Sequence, residues 1–208
     1  MTDQEFEVAL VDAAFALGGE AGWSRVSSAA AARHAGLDLA KARGMFTCTG
    51  TILKKFGHQA DAFALTGAAM GGSVRDRLFD ILLRRFDYLQ VRRAGVAALM
   101  RHLPVCPPMA VALAEMNIAS MGWLLEGAGV DATGLRGAVK KRCLLAVWLY
   151  SLRVWAEDDS PDLTATMAAV DTALARAEGY VLRLSPSSRP VEPEQEAHVP
   201  EAEPPKTS

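Results

Sequence analysis

The stretch DLTATMAAVDTALARAEGYVLRL, from Asp162 to Leu184, decides the fold. Apolar or small residues recur at Leu163, Met167, Val170, Leu174, Ala177, Val181 and Leu184, an unbroken 4-3-4-3-4-3 spacing. That spacing is the seam of a helix that packs lengthwise against other helices. Ser160 as N-cap, Pro161 at the first helical position and Asp162 in the first turn mark its start. The preceding segment, Leu135–Trp155, leaves itself no polar face, because Leu144, Leu145, Val147, Trp148, Leu149, Tyr150, Leu152, Val154 and Trp155 surround it. A helix apolar all round must be covered on every side. The last helix is one cover, upstream helices are others, and a second copy of the chain is expected to supply the rest. Leu163, Met167, Val170, Leu174 and Val181 are the expected dimerisation contacts.

Working back from that pair, the chain contains no run of alternating β-branched residues, so an all-α bundle of eight helices is expected. Phe6–Leu17 forms a first helix closed by Gly18-Gly19. Ser27 caps a short Ala-rich helix, Ala29–Ala35, and Asp38 caps another, Leu39–Phe46. A fourth runs Ile52–Ala69 to Gly71-Gly72. Ser73 and Asp76 make a capping box that opens a long helix, Val74–Leu103, ended by Pro104, Pro107 and Pro108. Its arginines 75, 77, 84, 85, 92, 93 and 101 alternate with Asp76, Asp80 and Asp87, which reads as a solvated, ion-paired face rather than an anion-binding stripe. Met109–Glu126 is a strongly apolar helix. The expected organisation is an N-terminal head over 1–70, a body over 73–184 and a tail over 185–208. Six of the ten prolines and five glutamates fall in the tail, which reads as disordered and acidic.

Half of the 208 residues are hydrophobic and the net charge is −2, which gives a real core and no overall attraction to nucleic acid or an anionic membrane. The acidic start Met-Thr-Asp-Gln-Glu-Phe-Glu matches no secretory or transit signal. Met109–Leu125 is interrupted by Glu115 and Asn117 and is short for a bilayer crossing of roughly 20 residues, so a soluble, cytoplasmic protein is expected. Cys48, Cys106 and Cys143 are too scattered for a metal or redox pair and read as reduced, small core residues. Enzyme signatures are missing: the histidines 34, 58, 102 and 198 never fall at ligand spacing, and there is no nucleophile elbow, P-loop or dinucleotide fingerprint. No catalytic residue, metal or cofactor is expected. The acids Glu157-Asp158-Asp159 with Asp162 could suggest a cation site, but acids at a helix–helix turn are expected as caps.

Two features bear on function. The short helices over 27–46 read as a helix-turn-helix, with Ala31-Ala32 inward, Ala35-Gly36-Leu37 as the turn and Phe46 closing onto the head. Lys41 and Arg43 are the candidate DNA contacts. Against that, residues 1–60 hold six basic and six acidic side chains, and DNA affinity comes largely from phosphate neutralisation. The second feature is the apolar interior. Met100, Met109, Met116, Met121, Trp123, Leu124 and Trp148 are candidates for a pocket between helices, where adaptable Met side chains suit varied contents. Ordinary core plus dimer contact is the alternative.

The first helix, the Ser27 cap, Ala35-Gly36-Leu37 and the short helix ending in Phe46 resemble the TetR family, which implies a helix-turn-helix head on a ligand-binding body. From Arg75 to Glu178 the chain also resembles the TetR-fold accessory proteins of coenzyme Q biosynthesis, the Coq-nine family. The matching words are Arg77-Leu78-Phe79-Asp80-Ile81-Leu82-Leu83-Arg84-Arg85-Phe86-Asp87, then Met121-Gly122-Trp123-Leu124-Leu125-Glu126-Gly127-Ala128-Gly129, then Asp158-Asp159-Ser160-Pro161-Asp162-Leu163. This second resemblance implies a non-enzymatic homodimer that holds an isoprenoid, quinone precursor or phospholipid. It further implies delivery to a ubiquinone-pathway hydroxylase, with peripheral contact at the inner membrane. The alternative expectation is a DNA-binding regulator that answers to an apolar effector.

Overall fold

The computed structural model describes residues 1–68 and 71–184, the last five of these by backbone alone. Among the described residues there are nine α-helices and no strand: α1 Asp3–Ala21, α2 Ser28–His34, α3 Leu39–Met45, α4 Thr49–Leu65, α5 Val74–Gln90, α6 Arg93–His102, α7 Pro107–Gly127, α8 Gly134–Glu157 and α9 Thr164–Leu184. Short 3-10 turns lie at Trp23–Arg25 and Leu103–Val105. The all-α expectation holds. The tail over 185–208 and the side chain of Val181 lie outside the described residues.

In α1 to α4 a compact aromatic core forms because the helices bring large rings to one point. Phe15 meets Trp23 edge-on at 5.0 Å and Phe56 at 4.0 Å. Phe6, Leu10, Phe46 and Ile52 are buried around them. Helix α1 runs through Gly18-Gly19 rather than stopping there; its cap is Gly22 at φ 83°. The two glycines serve close packing instead. A Cβ on Gly18 would lie 2.8 Å from Trp23 Nε1, and one on Gly19 would lie 3.2 Å from the Gly95 backbone nitrogen. Gly95 is tighter still, since a Cβ there would lie 2.3 Å from the Phe15 carbonyl oxygen. Trp23 Nε1 donates to the Gly95 carbonyl at 2.8 Å, so α1 and α6 lock together across these small residues.

The expected single helix Val74–Leu103 is two. Arg92 leaves helical geometry at φ −120°, ψ 26°, and α6 starts at Arg93. The side chain of Arg92 pairs with Asp12 and lies over Tyr88 at 4.5 Å, so the break follows from docking on α1 rather than from a local Pro or Gly. Arg84 does pair with Asp80 at 3.2 Å. Arg77 donates to the carbonyls of Ala128 and Gly72.

Helix α9 lies along α8 and α5. It begins at Thr164, later than Pro161 suggests, because Leu163 takes a left-handed φ of 51°. Asp158 holds this turn: one carboxylate oxygen accepts from the Ser160 N–H and hydroxyl, the other from the Thr166 N–H and hydroxyl. Ser160 in turn accepts from the Thr164 N–H at 2.9 Å. These bonds hold the Asp158 carboxyl well below its ordinary value. Asp158 thus acts as a bracket between α8 and α9.

Candidate functional site: an apolar cavity with a polar corner

A cavity of about 380 Å³ lies between α4, α5, α6, α7 and α8. Its size falls near the lower end of small-molecule sites, roughly 300–1,000 Å³. Helix α4 turns Leu53, Phe56 and Ala60 toward it, α6 adds Val96, Leu99 and Met100, and α8 adds Leu145, Trp148 and Leu152. Helix α7 contributes Leu113, Met116 and Trp123, the last 68% exposed at the rim.

One corner of this apolar wall is polar. Arg85 of α5, Asp61 of α4, and Asn117 and Ser120 of α7 meet there. Arg85 Nη2 donates to Ser120 Oγ at 3.0 Å and approaches Asn117 Oδ1 at 3.4 Å and Asp61 Oδ1 at 3.3 Å. Ser120 donates to Asp61 Oδ2. The guanidinium lies over the Trp148 ring, 4.5 Å from its centroid, and Trp148 stacks on Phe86 at 4.6 Å. Arg85 is only 4% exposed. Burial pushes its pKa down and the neighbouring Asp61 charge pulls it back up.

Of the seven residues expected to form a pocket, Met100, Met116, Trp123 and Trp148 line the cavity. Met121 and Leu124 do not. They are fully buried on the other side of α7, where 121, 124, 125 and 128 share a stripe. Met109 packs half-buried against the core away from the cavity. The residues missed are the polar ones. Arg85 was expected on a wet face with its neighbours, yet Leu78, Leu82, Arg85 and Leu89 repeat at 4-3-4 spacing, and all four are buried. That spacing is the signal that places Arg85 inward.

The expected dimer seam is largely occupied within one subunit: Leu163, Val170 and Leu174 are buried, while Met167 is exposed. On α8 it is Leu135, Val139, Leu149 and Tyr150 that stay exposed. A second cavity of about 350 Å³ sits between α5, α7, α8 and α9, against Leu78, Leu125, Leu144 and Leu174.

In the head, α2 and α3 meet at Gly36 as a helix-turn-helix. Ser27 caps α2 by accepting from Ala30 N–H, and Asp38 caps α3 by accepting from Lys41 N–H. Leu39, Ala40, Arg43 and Gly44 are exposed on α3. Lys41 Nζ pairs with Asp3 at 2.6 Å above the Phe6 ring, and Lys55 pairs with Glu7 at 2.6 Å. Cys48, expected in the core, is exposed at the start of α4; bonds from the Thr51 N–H and hydroxyl lower its thiol pKa. Cys106 and Cys143 are half-buried. Helix α7, at 21 residues, is long and apolar enough by length and composition to cross a membrane, which corrects the estimate from Met109–Leu125. Its Asn117 and Ser120 are engaged with the Arg85 corner, and Ser120, Met121, Leu124 and Leu125 are its buried residues.

No protein-family model matches the sequence, and no curated protein is similar to it. Solved structures are. The fold is similar to that of a TetR transcriptional regulator from Nitrosomonas europaea, with a TM-score of 0.65, 18% identity, and coverage of 84% of this chain and 99% of that one. A TetR transcriptional regulator from Rhodococcus sp. RHA1 gives a TM-score of 0.59, 17% identity, and coverage of 85% and 97%. A TetR-family transcriptional regulator from Streptomyces coelicolor gives 0.55, 17%, and coverage of 85% and 89%. The chain therefore has the fold of TetR regulators. The likeness to the coenzyme Q accessory proteins finds no counterpart in these comparisons.

Proposed function

We propose that the chain is a cytoplasmic, ligand-responsive regulator built like the TetR proteins whose fold it shares. The observation that carries this reading is the double duty of α4. Near its start, the Thr49 hydroxyl donates to the Val26 carbonyl at 3.2 Å and ties α4 to the helix-turn-helix. Further along, Leu53, Phe56, Ala60 and Asp61 of the same helix wall the cavity. An apolar guest therefore presses on the element that carries α3. Arg43 and Lys41 contact DNA, and the exposed apolar residues of α8, with Met167, join two copies. The measurement is fluorescence anisotropy on DNA upstream of the chain's own gene, titrated with salt. Sequence-specific binding near physiological salt, weakened by Arg43→Ala, is expected; its absence overturns the reading. Two half-sites would lie about 34–36 Å apart or a multiple of it.

One observation favours a second reading. Lys41 and Lys55 are neutralised by Asp3 and Glu7, which removes two cations from the face that would meet phosphates. In that reading the same fold serves ubiquinone biosynthesis as a non-enzymatic carrier. The cavity shelters an isoprenoid, quinone precursor or phospholipid chain for a hydroxylase, with peripheral membrane contact. Organic extraction of the purified chain followed by mass spectrometry separates the two. A recovered quinone or isoprenoid together with failed DNA binding selects the carrier.

A further inference from the structure

The polar corner narrows what the cavity takes, an inference that rests on the cavity being a ligand site. Arg85 and Asp61 carry opposite charges in contact, so the corner is neutral as a unit. Its hydrogen bonding is incomplete. Arg85 uses Nη2 alone; among the described residues Nε and Nη1 are buried with no acceptor, and Asp61 Oδ1 accepts no hydrogen bond of normal geometry. Leaving buried donors of a charged group unmade is costly, more so than for neutral groups. The remaining wall near the corner is hydrocarbon and aromatic, with Leu89, Met116, Leu145 and Trp148; the other polar lining residues, Lys54 and His58 of α4, are solvent-exposed.

Those two facts pull ligand chemistry in one direction. A carboxylate or phosphate head would offer acceptors to Arg85. It would also place a second negative charge beside Asp61 in a low-dielectric wall, where like charges disfavour one another. A pure hydrocarbon would leave Nε and Nη1 as they are. We propose that the cavity selects a neutral amphiphile, an apolar body with a carbonyl or similar uncharged oxygen that accepts from the free edge of Arg85. The guanidinium lies over the Trp148 ring and is anchored at Nη2, which fixes Nε and Nη1 in place; both are closed to solvent, so the guest's oxygen reaches them by displacing the side chains that cover them. The apolar body then runs along α6 and α7 toward Met100 and Leu113.

Three probes of similar size isolate the head group: n-hexylbenzene, hexanophenone, and 4-pentylbenzoate, which is ionised at pH 8. Equilibrium dialysis of the full chain against each, with bound probe measured by chromatography, gives the affinities. Hexanophenone is expected to bind about tenfold more tightly than hexylbenzene, the worth of one hydrogen bond to a charged donor, and more tightly than 4-pentylbenzoate. In the Asp61→Leu/Arg85→Met double variant, which replaces the buried pair with apolar side chains, the ketone and the hydrocarbon should bind within about twofold of each other. A benzoate that binds best, or a wild-type chain that treats ketone and hydrocarbon alike, overturns the neutral-head inference while leaving the cavity as a ligand site. Failure of all three probes to bind overturns the ligand-site reading itself. The wild-type series decides the matter even if the double variant does not fold.

Discussion

The head around α1 and the body around α7 and α8 draw on the same residue types and reach opposite results. In the head, Phe6, Leu10, Phe15, Phe46 and Ile52 are no more than 1% exposed, and the Trp23 N–H finds a carbonyl. Small residues at 18, 19 and 95 let backbones touch. In the body, Trp123 and Leu135 stand 68% and 84% exposed, a cavity opens among α4, α6, α7 and α8, and a buried arginine keeps two nitrogens without acceptors among the described residues. The difference teaches where function resides. A filled core converts apolar area into stability. A body that leaves space, apolar surface and polar capacity unspent is what the proposed reading, a guest and a second subunit, calls for.

The sharpest test of that contrast is truncation on each side. Phe15→Ala should cost about 3–5 kcal/mol, because it empties a packed site, whereas Met100→Ala on the cavity wall should cost about 1 kcal/mol. Urea denaturation midpoints read both, and equal losses would erase the distinction. Of similar size is Asp61→Ala, which strands the Arg85 charge and should destabilise by roughly 3–5 kcal/mol. The apolar double replacement Asp61→Leu/Arg85→Met should sit near the wild type by the same measurement, since it removes both charges together.

Gly95→Ala should cost about 1–3 kcal/mol by forcing α6 off the Phe15 carbonyl. A neutral result would show that the α1–α6 lock is looser than its geometry. A smaller effect concerns the α8–α9 turn. The Asp158 carboxyl has its folded-state pKa depressed below the ordinary 3.8, so it contributes stability that is present above the unfolded value and is lost as pH falls through the acid range below it. Asp158→Asn should therefore flatten the acid limb of a stability-versus-pH curve; an unchanged limb would remove Asp158 from the bracket. Smallest is a rate difference among thiols. Cys48, exposed and with its thiol pKa lowered, should alkylate before Cys106 and Cys143 in a mass-resolved iodoacetamide time course.

The sequence carried the fold well where signals were periodic or local. The Leu163, Val170 and Leu174 part of the α9 seam, the Ser27, Asp38 and Ser73 caps and, among the described residues, the lack of strands all recur in the structure. It misled where a tertiary neighbour decided the outcome. Gly18-Gly19 reads as a stop, but Trp23 and α6 make it a packing face. The break at Arg92 has no Pro or Gly at the site; its Arg92 side chain is held by Asp12 of α1, a partner distant in sequence. The candidate site was half legible. Met and Trp side chains point to a pocket by chemistry alone, yet composition cannot say which side of α7 each faces, so Met121 and Leu124 fell on the wrong one. Arg85 was hidden by company, because six other arginines flank it and are not buried. Only its place in the 78-82-85-89 register tells it apart.

Native mass spectrometry of the full chain, purified without detergent, tests most directly whether the body is built to hold something. The expected result is a dimer that carries an uncharged apolar molecule at about one per subunit, or that takes up hexanophenone at that ratio after organic extraction. A monomer that stays empty and takes up no probe would contradict the account.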